Sequence, residues 1–175
     1  FGLLFVSFLL QYFVRILQVG GNEYGDSFMG FGLFFALWVV IVAKFSDIGA
    51  LVIGKAIGRT KMAPSISPGK TIEGLIGGFA ASAGIGSLIP WLFQEKFTNV
   101  VHFGDWAFSP GQGAFFGLIL ALSAVIGDLI ASVLKRLASM KDSGGAIPGI
   151  GGLFDLTDSL ILAAPTGYFL LYFIR

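Results

Sequence analysis

Five long apolar runs leave this 175-residue chain little choice of fold. They cover about Phe1–Val19, Ser27–Ala43, Ile72–Phe93, Gly111–Leu134 and Leu156–Ile174, each close to the roughly 20 residues that cross a bilayer core as helix. Lipid offers no water to unpaired N–H and C=O groups, and the runs lack the alternation of a barrel strand, so each is read as a spanning helix. The predicted class is all-α: a polytopic membrane bundle of about five transmembrane helices with a cytoplasm-facing polar cavity. Composition agrees, since 55% of residues are hydrophobic and 12% charged, about half the charge of an ordinary soluble domain. The absence of Cys excludes disulfides, zinc-thiolate sites and cysteine nucleophiles. A net charge of +1 gives no reason to expect a nucleic-acid partner.

The charges then orient the bundle. Residues 44–71 hold Lys44, Lys55, Arg59, Lys61 and Lys70, and residues 135–155 hold Lys135, Arg136 and Lys141. The alternate loops, 20–26 with Glu23 and Asp26 and 94–110 with Glu95, Lys96 and Asp105, lean acidic. Basic residues concentrate in short cytoplasmic loops, so both basic loops are expected in the cytosol, the C-terminus outside, and the protein in the cell inner (cytoplasmic) membrane. Trp38, Trp91 and Trp106 near segment ends suit an interfacial belt, and His102 reads as an exposed loop residue rather than a ligand. Phe1 opens inside an apolar run with neither Met nor a basic flank, which predicts a piece of a longer protein: residues 1–175 as a single transmembrane domain lacking upstream helices.

Two stretches place polar groups where an apolar chain should avoid them. In Ser132–Ser159 and the turn before it, Asp128 and Ser132 are four residues apart, with Lys135 and Arg136 following at seven and eight, so one helical face carries a carboxylate, a hydroxyl and a cation. An intramembrane carboxylate costs on the order of 2.5 to 3.5 kcal/mol on insertion scales. A glycine-rich turn with Gly144, Gly145, Gly149, Gly151 and Gly152 leads to Asp155 and Asp158 at a helix start. Each residue alone reads equally well as a cap or a flexible turn. Together, Asp128, Asp155 and Asp158 beside Lys and Arg suit Mg²⁺ bound to phosphates. In the second stretch, Ser46–Gly78, SPGKT at Ser67–Thr71 presents amides and an ammonium just before a helix, without Walker A spacing. Lys55, Arg59 and Lys61 also read as simple membrane anchors. Asp47 either joins the metal site or caps a helical segment Ile48–Ile57.

These residues resemble the phosphatidate cytidylyltransferase (CDP-diacylglycerol synthase) family over roughly Lys44–Ser159. Ser132, Lys135, Arg136, Lys141, Asp142, Gly144, Ile147, Pro148, Gly151, Gly152, Asp155 and Asp158 fall in register with its signature. Upstream, Asp47, Ala50, Gly54, Gly58, Lys61, Ala63, Pro64, Ser67, Pro68, Gly69, Lys70, Thr71, Glu73 and Gly74 match its second block. Two positions depart: the family's usual His is Ile150, and the Arg after the first Asp is Leu156. Both are read as repacked into apolar contacts in a working, divergent branch.

The resemblance implies the reaction CTP + phosphatidate → CDP-diacylglycerol + pyrophosphate, with CTP, phosphatidate and the bilayer as partners and a homodimer left open. It implies Asp128 and Asp155 as principal Mg²⁺ ligands, Asp158 and Asp47 as further ligands or outer groups, and a second cation left open. Lys135 and Lys141 would act with the carboxylates at the reacting phosphates. Lys70, Ser67, Arg136, Ser132, Gly151, Gly152, Arg59 and Lys61 would bind substrate. Two alternatives stand beside it: a CTP-dependent enzyme acting on a polyprenol or ether lipid, and an ion-coupled membrane transporter using Asp128 and broken helices.

Overall fold

The ends of the apolar runs are set by side chains that satisfy free helix amides. Ser109 Oγ accepts the Gln112 N–H at 3.2 Å while Gln112 Oε1 accepts the Ser109 N–H at 2.9 Å, a reciprocal cap with Pro110 at the first helical position. Thr71 Oγ1 likewise accepts the Gly74 N–H at 3.1 Å. The computed structural model describes residues 2–18, 30–64, 67–96, 108–137, 153–171 and 173. Its elements are α1 (Gly2–Gln18), α2 (Gly30–Ile57), β1 (Lys61–Ala63), β2 (Ser67–Thr71), α3 (Ile72–Lys96), α4 (Pro110–Leu137) and α5 (Leu153–Leu171). Among the described residues, three stretches are long and apolar enough to cross a membrane, Phe31–Ile57, Ile72–Phe93 and Pro110–Leu134. The fold is an all-α polytopic membrane protein, to which β1 and β2 add one short antiparallel hairpin pairing Lys61 with Thr71 and Ala63 with Ser67.

Two expectations are corrected. Residues 44–57, assigned by their charges to a basic loop with a separate helical segment Ile48–Ile57, continue α2 without a break. Lys44 and Asp47 face each other one turn apart, Nζ to Oδ2 3.5 Å, and the pairing lets both charges stay on an otherwise apolar helix. Asp47 therefore sits inside the helix and caps nothing. Trp38, expected at an interface, is 1% exposed. Its indole N–H donates to the Gly86 carbonyl at 3.2 Å, and its ring stacks on Phe35 and meets Phe108 edge-on. An apolar helix offers lipid and core equally greasy faces, so nothing in the sequence separated the two locations. Trp91 is 53% exposed. Trp106 and His102 lie outside the described residues.

The helices pack through bare backbone. A Cβ placed at Gly113 would overlap the Gly86 carbonyl oxygen and the reverse holds for Gly86, so α3 and α4 approach as only glycine permits. α2 and α3 meet the same way, since a Cβ at Gly49 would lie 2.8 Å from the Gly77 oxygen. Ser82 Oγ adds a bond to the Val42 carbonyl at 3.1 Å. The core brings together Ile16, Phe35, Val39, Val42, Leu120 and Ala163 from α1, α2, α4 and α5. The outer face of α2 is apolar instead, with Leu33, Leu37, Ile41, Phe45, Ile48 and Val52 each exposed; their spacing of three or four residues makes one stripe that suits lipid.

Candidate active site

α3 and α4 run antiparallel from their glycine contact, which brings the start of α3, and with it β2, beside the second half of α4. Between them and α2 lies a cavity of about 320 Å³ whose polar wall is Ser46, Asp47, Ser67, Lys70, Thr71 and Asp128, the rest being largely apolar. β2 turns Lys70 onto Asp128, where Nζ pairs with Oδ2. Both side chains are partly shielded, 23% and 29% exposed. This is the compensation that a carboxylate in a spanning helix requires, and it comes from a residue 58 positions away in sequence.

Asp47 enters the same wall from α2. Its partner Lys44 also donates to Ser159 Oγ of α5 at 2.9 Å, and Ser159 is fully buried. Lys44 thus ties α2 to α5, a role the sequence analysis missed because one Lys at the end of an apolar run looks like an anchor. The signal present was its i, i+3 spacing from Asp47. Ser46, also missed, is buried with an Oγ that has no hydrogen-bond partner among the described residues, although it lines the cavity.

The remaining expected residues divide clearly. Asp158 is on α5, its Oδ1 accepting the Ser159 N–H at 2.7 Å; its backbone oxygen lies against Gly127, next to Asp128, but its carboxylate is not on the cavity wall. Ser132 is half-buried one turn past Asp128, and Arg136 is exposed a further turn on. Arg59 and Lys61 are exposed and stand outside the wall. Among the described residues no three carboxylate or imidazole groups converge. Lys135 and Asp155 lie on α4 and α5, but their side chains are outside the described residues, as is that of Leu156. Lys141, Gly151, Gly152 and Ile150 are wholly outside them.

As chemistry, the wall offers two carboxylates, one ammonium and hydroxyls within one partly enclosed space, all hard donors. The carboxylates and the unpartnered Ser46 hydroxyl suit a hard divalent cation such as Mg²⁺, and Lys70 on the flexible-stemmed side of the pair suits a phosphate.

Comparison with known proteins places this geometry in context. A model of the cytidylyltransferase family matches residues 2–174. The phosphatidate cytidylyltransferase of Synechocystis sp. is 40% identical over 124 residues, covering 71% of this chain and 38% of that protein. The Helicobacter pylori phosphatidate cytidylyltransferase is 37% identical over 147 residues, covering 83% and 50%. That of Bacillus subtilis is 30% identical over 168 residues, covering 96% and 55%. The chain thus spans about half the length of the curated relatives it matches.

Proposed function

This chain belongs to the cytidylyltransferase family, and from that premise we propose that it carries the site of a membrane nucleotidyltransferase that joins CTP and phosphatidate into CDP-diacylglycerol and pyrophosphate. The observation that carries the reading is Lys70 held against Asp128 in a cavity between spanning helices, with Asp47 on the same wall. The names of the relatives supply the substrates.

The reaction brings two anions together: a phosphate oxygen of the lipid attacks the α-phosphorus of CTP, and the bond to the leaving pyrophosphate breaks. Positioning and charge neutralisation therefore dominate the barrier. Asp128 and Asp47, with Asp155, are the residues that would hold Mg²⁺, and Asp158 would support them from α5. When bound, the cation would offset the charge on the phosphate oxygens. Lys70 is a cation that this chain itself supplies at the cavity. Its ammonium exchanges the Asp128 carboxylate for a phosphate oxygen as substrate enters, while Ser67 on the same strand offers a hydroxyl to the same group. Lys135, Lys141, Arg136, Ser132, Gly151 and Gly152 would add further phosphate contacts, and Arg59 and Lys61 would draw the nucleotide in. The apolar part of the wall leaves the acyl chains in the bilayer.

The arrangement of basic residues supports an inner-membrane protein with this end facing the cytoplasm. Lys55, Arg59, Lys61, Lys70 and Arg136 all belong to the end of the bundle where α2 finishes, α3 begins and α4 finishes, as the positive-inside bias expects. Function in a homodimer is compatible with this geometry. Membership of the cytidylyltransferase family disfavours the transporter alternative. The test is direct: membranes carrying the protein should release pyrophosphate from CTP only when phosphatidate is added, with CDP-diacylglycerol identified by mass. Pyrophosphate release indifferent to phosphatidate, or a different lipid product, would overturn the substrate assignment.

A further inference from the structure

Glu73 is not on the cavity wall. It stands in the first turn of α3 at the edge of the apolar groove on the other side of the α2–α3 pair. Its carboxylate reaches across the chain, Oε2 accepting the Arg59 N–H at 3.1 Å and both oxygens accepting the Thr60 N–H at 3.2 Å. The Thr60 carbonyl in turn accepts the Ile72 N–H at 3.0 Å. Thr60 is thus gripped at both its backbone groups by two consecutive residues of α3.

What this grip fixes is the start of the hairpin. Lys61, the next residue, pairs with Thr71, and Lys70 immediately precedes Thr71 in β2. Thr71 is itself seated: it is 6% exposed, and its side chain fills a recess left by Gly54, Gly58 and Gly74, where a Cβ would come within 3.1, 2.7 and 3.0 Å of its Oγ1. At Gly58, a Cβ would also overlap the Gly54 carbonyl oxygen. A hairpin with strands of three and five residues has too few ladder bonds to hold its own register. Moved by one residue, it would turn Lys70 to the opposite face.

We infer that Glu73 is a positioning residue for Lys70: by clamping Arg59 and Thr60 to the start of α3 it sets the hairpin register that delivers the Lys70 ammonium to Asp128 and, in turn, to substrate phosphate. The last step rests on the proposed reading of Lys70, whereas the first does not. A simple N-terminal cap would bond amides of its own helix. Glu73 reaches beyond its own backbone amide to amides 13 and 14 residues earlier in the chain.

The experiment reads the position of Lys70 without requiring turnover. The purified protein in detergent is treated with a water-soluble acylating reagent, and the rate at each Lys is followed by peptide mass spectrometry. In Glu73→Ala, Lys70 acylation should rise about tenfold, equivalent to roughly 1.4 kcal/mol of lost pairing, while exposed Lys55 keeps its rate. Glu73→Gln, which retains one acceptor oxygen, should fall between and also serves if the Ala variant does not accumulate. The KM for CTP should rise in parallel with the Lys70 rate, with kcat falling less. An unchanged Lys70 rate, or equal rises at Lys70 and Lys55, would overturn the positioning role. A faster Lys70 with an unchanged KM would uphold it and overturn the assignment of Lys70 to phosphate.

Discussion

Along α2, neighbouring residues meet opposite surroundings. Ser46 and Asp47 look into the polar cavity, whereas Phe45 and Ile48 line an apolar groove of about 590 Å³ with Val52, Ile76 and Ala80. The two concavities share the same pair of helices and differ in what they present. On the cavity side each charge has a partner, Lys44 for Asp47 and Lys70 for Asp128. On the groove side, among the described residues that line it, Glu73 at the very edge is the charged one, and its carboxylate is occupied by backbone amides. The difference teaches that in a spanning helix pair charges gather where they can pair with one another, because lipid penalises an unpaired charge.

The comparison can be broken at its strongest point first. Asp128→Asn preserves volume but removes the anion, and CTP- and phosphatidate-dependent pyrophosphate release should fall by about 100-fold or more, as loss of a preorganised charged group in a site does, while the amount of protein in the membrane stays the same. Near-parental turnover at limiting Mg²⁺ would remove Asp128 from the site. Next, Lys70→Ala should lower kcat/KM by about 100-fold, roughly 2.7 kcal/mol, and Lys55→Ala by less than about twofold. Equal losses would mean that the basic end works through bulk charge rather than through one placed ammonium.

The groove face sharpens the contrast with effects on stability. Ile48 is 50% exposed, so Ile48→Asp puts an unpartnered carboxylate there at a cost of up to about 2.5 to 3.5 kcal/mol, and detergent thermal stability and membrane yield should both drop. A stable aspartate variant would show that this face is wet. The smallest effect belongs to Ile76→Ala, at a side chain 62% exposed. It should change stability by less than about 1 kcal/mol and leave kcat and KM unchanged. A changed KM for phosphatidate would make the groove part of the lipid path.

Much of this organisation was legible in the chain, and the failures have physical causes. The third run, Ile72–Phe93, coincides with a spanning stretch, and the fourth was placed within a residue at its start, because length and apolarity alone decide such segments. Asp128, Asp47, Lys70 and Ser67 line one cavity, although they come from two separate stretches of the sequence. The continuation of α2 past Lys44 was not visible, since charge patterning marks loops and anchors equally well until a partner is known. That partner, Ser159, lies 115 residues away. The hairpin escaped notice because Lys61–Ala63 is too short to show a period and SPGKT carries Pro and Gly, which argue for a turn. Glu73 was read only as one match in the family's upstream block, and its reach to Arg59 and Thr60 depends on a chain reversal that no local pattern encodes.

The contact between Gly86 and Gly113 has mechanical leverage over the chemistry. From Gly113 to Asp128 is 15 residues of helix, about 22 Å at 1.5 Å per residue, and Gly86 to Ile72 on α3 is nearly as far. With two backbones touching at that crossing, it acts as a fulcrum, and a tilt of one degree there displaces the Asp128 end by about 0.4 Å over such an arm. An error of about 0.5 Å is enough to spoil a catalytic constellation. The tolerance of the carboxylate–ammonium pair is therefore set partly by two residues that have no side chains and touch no substrate.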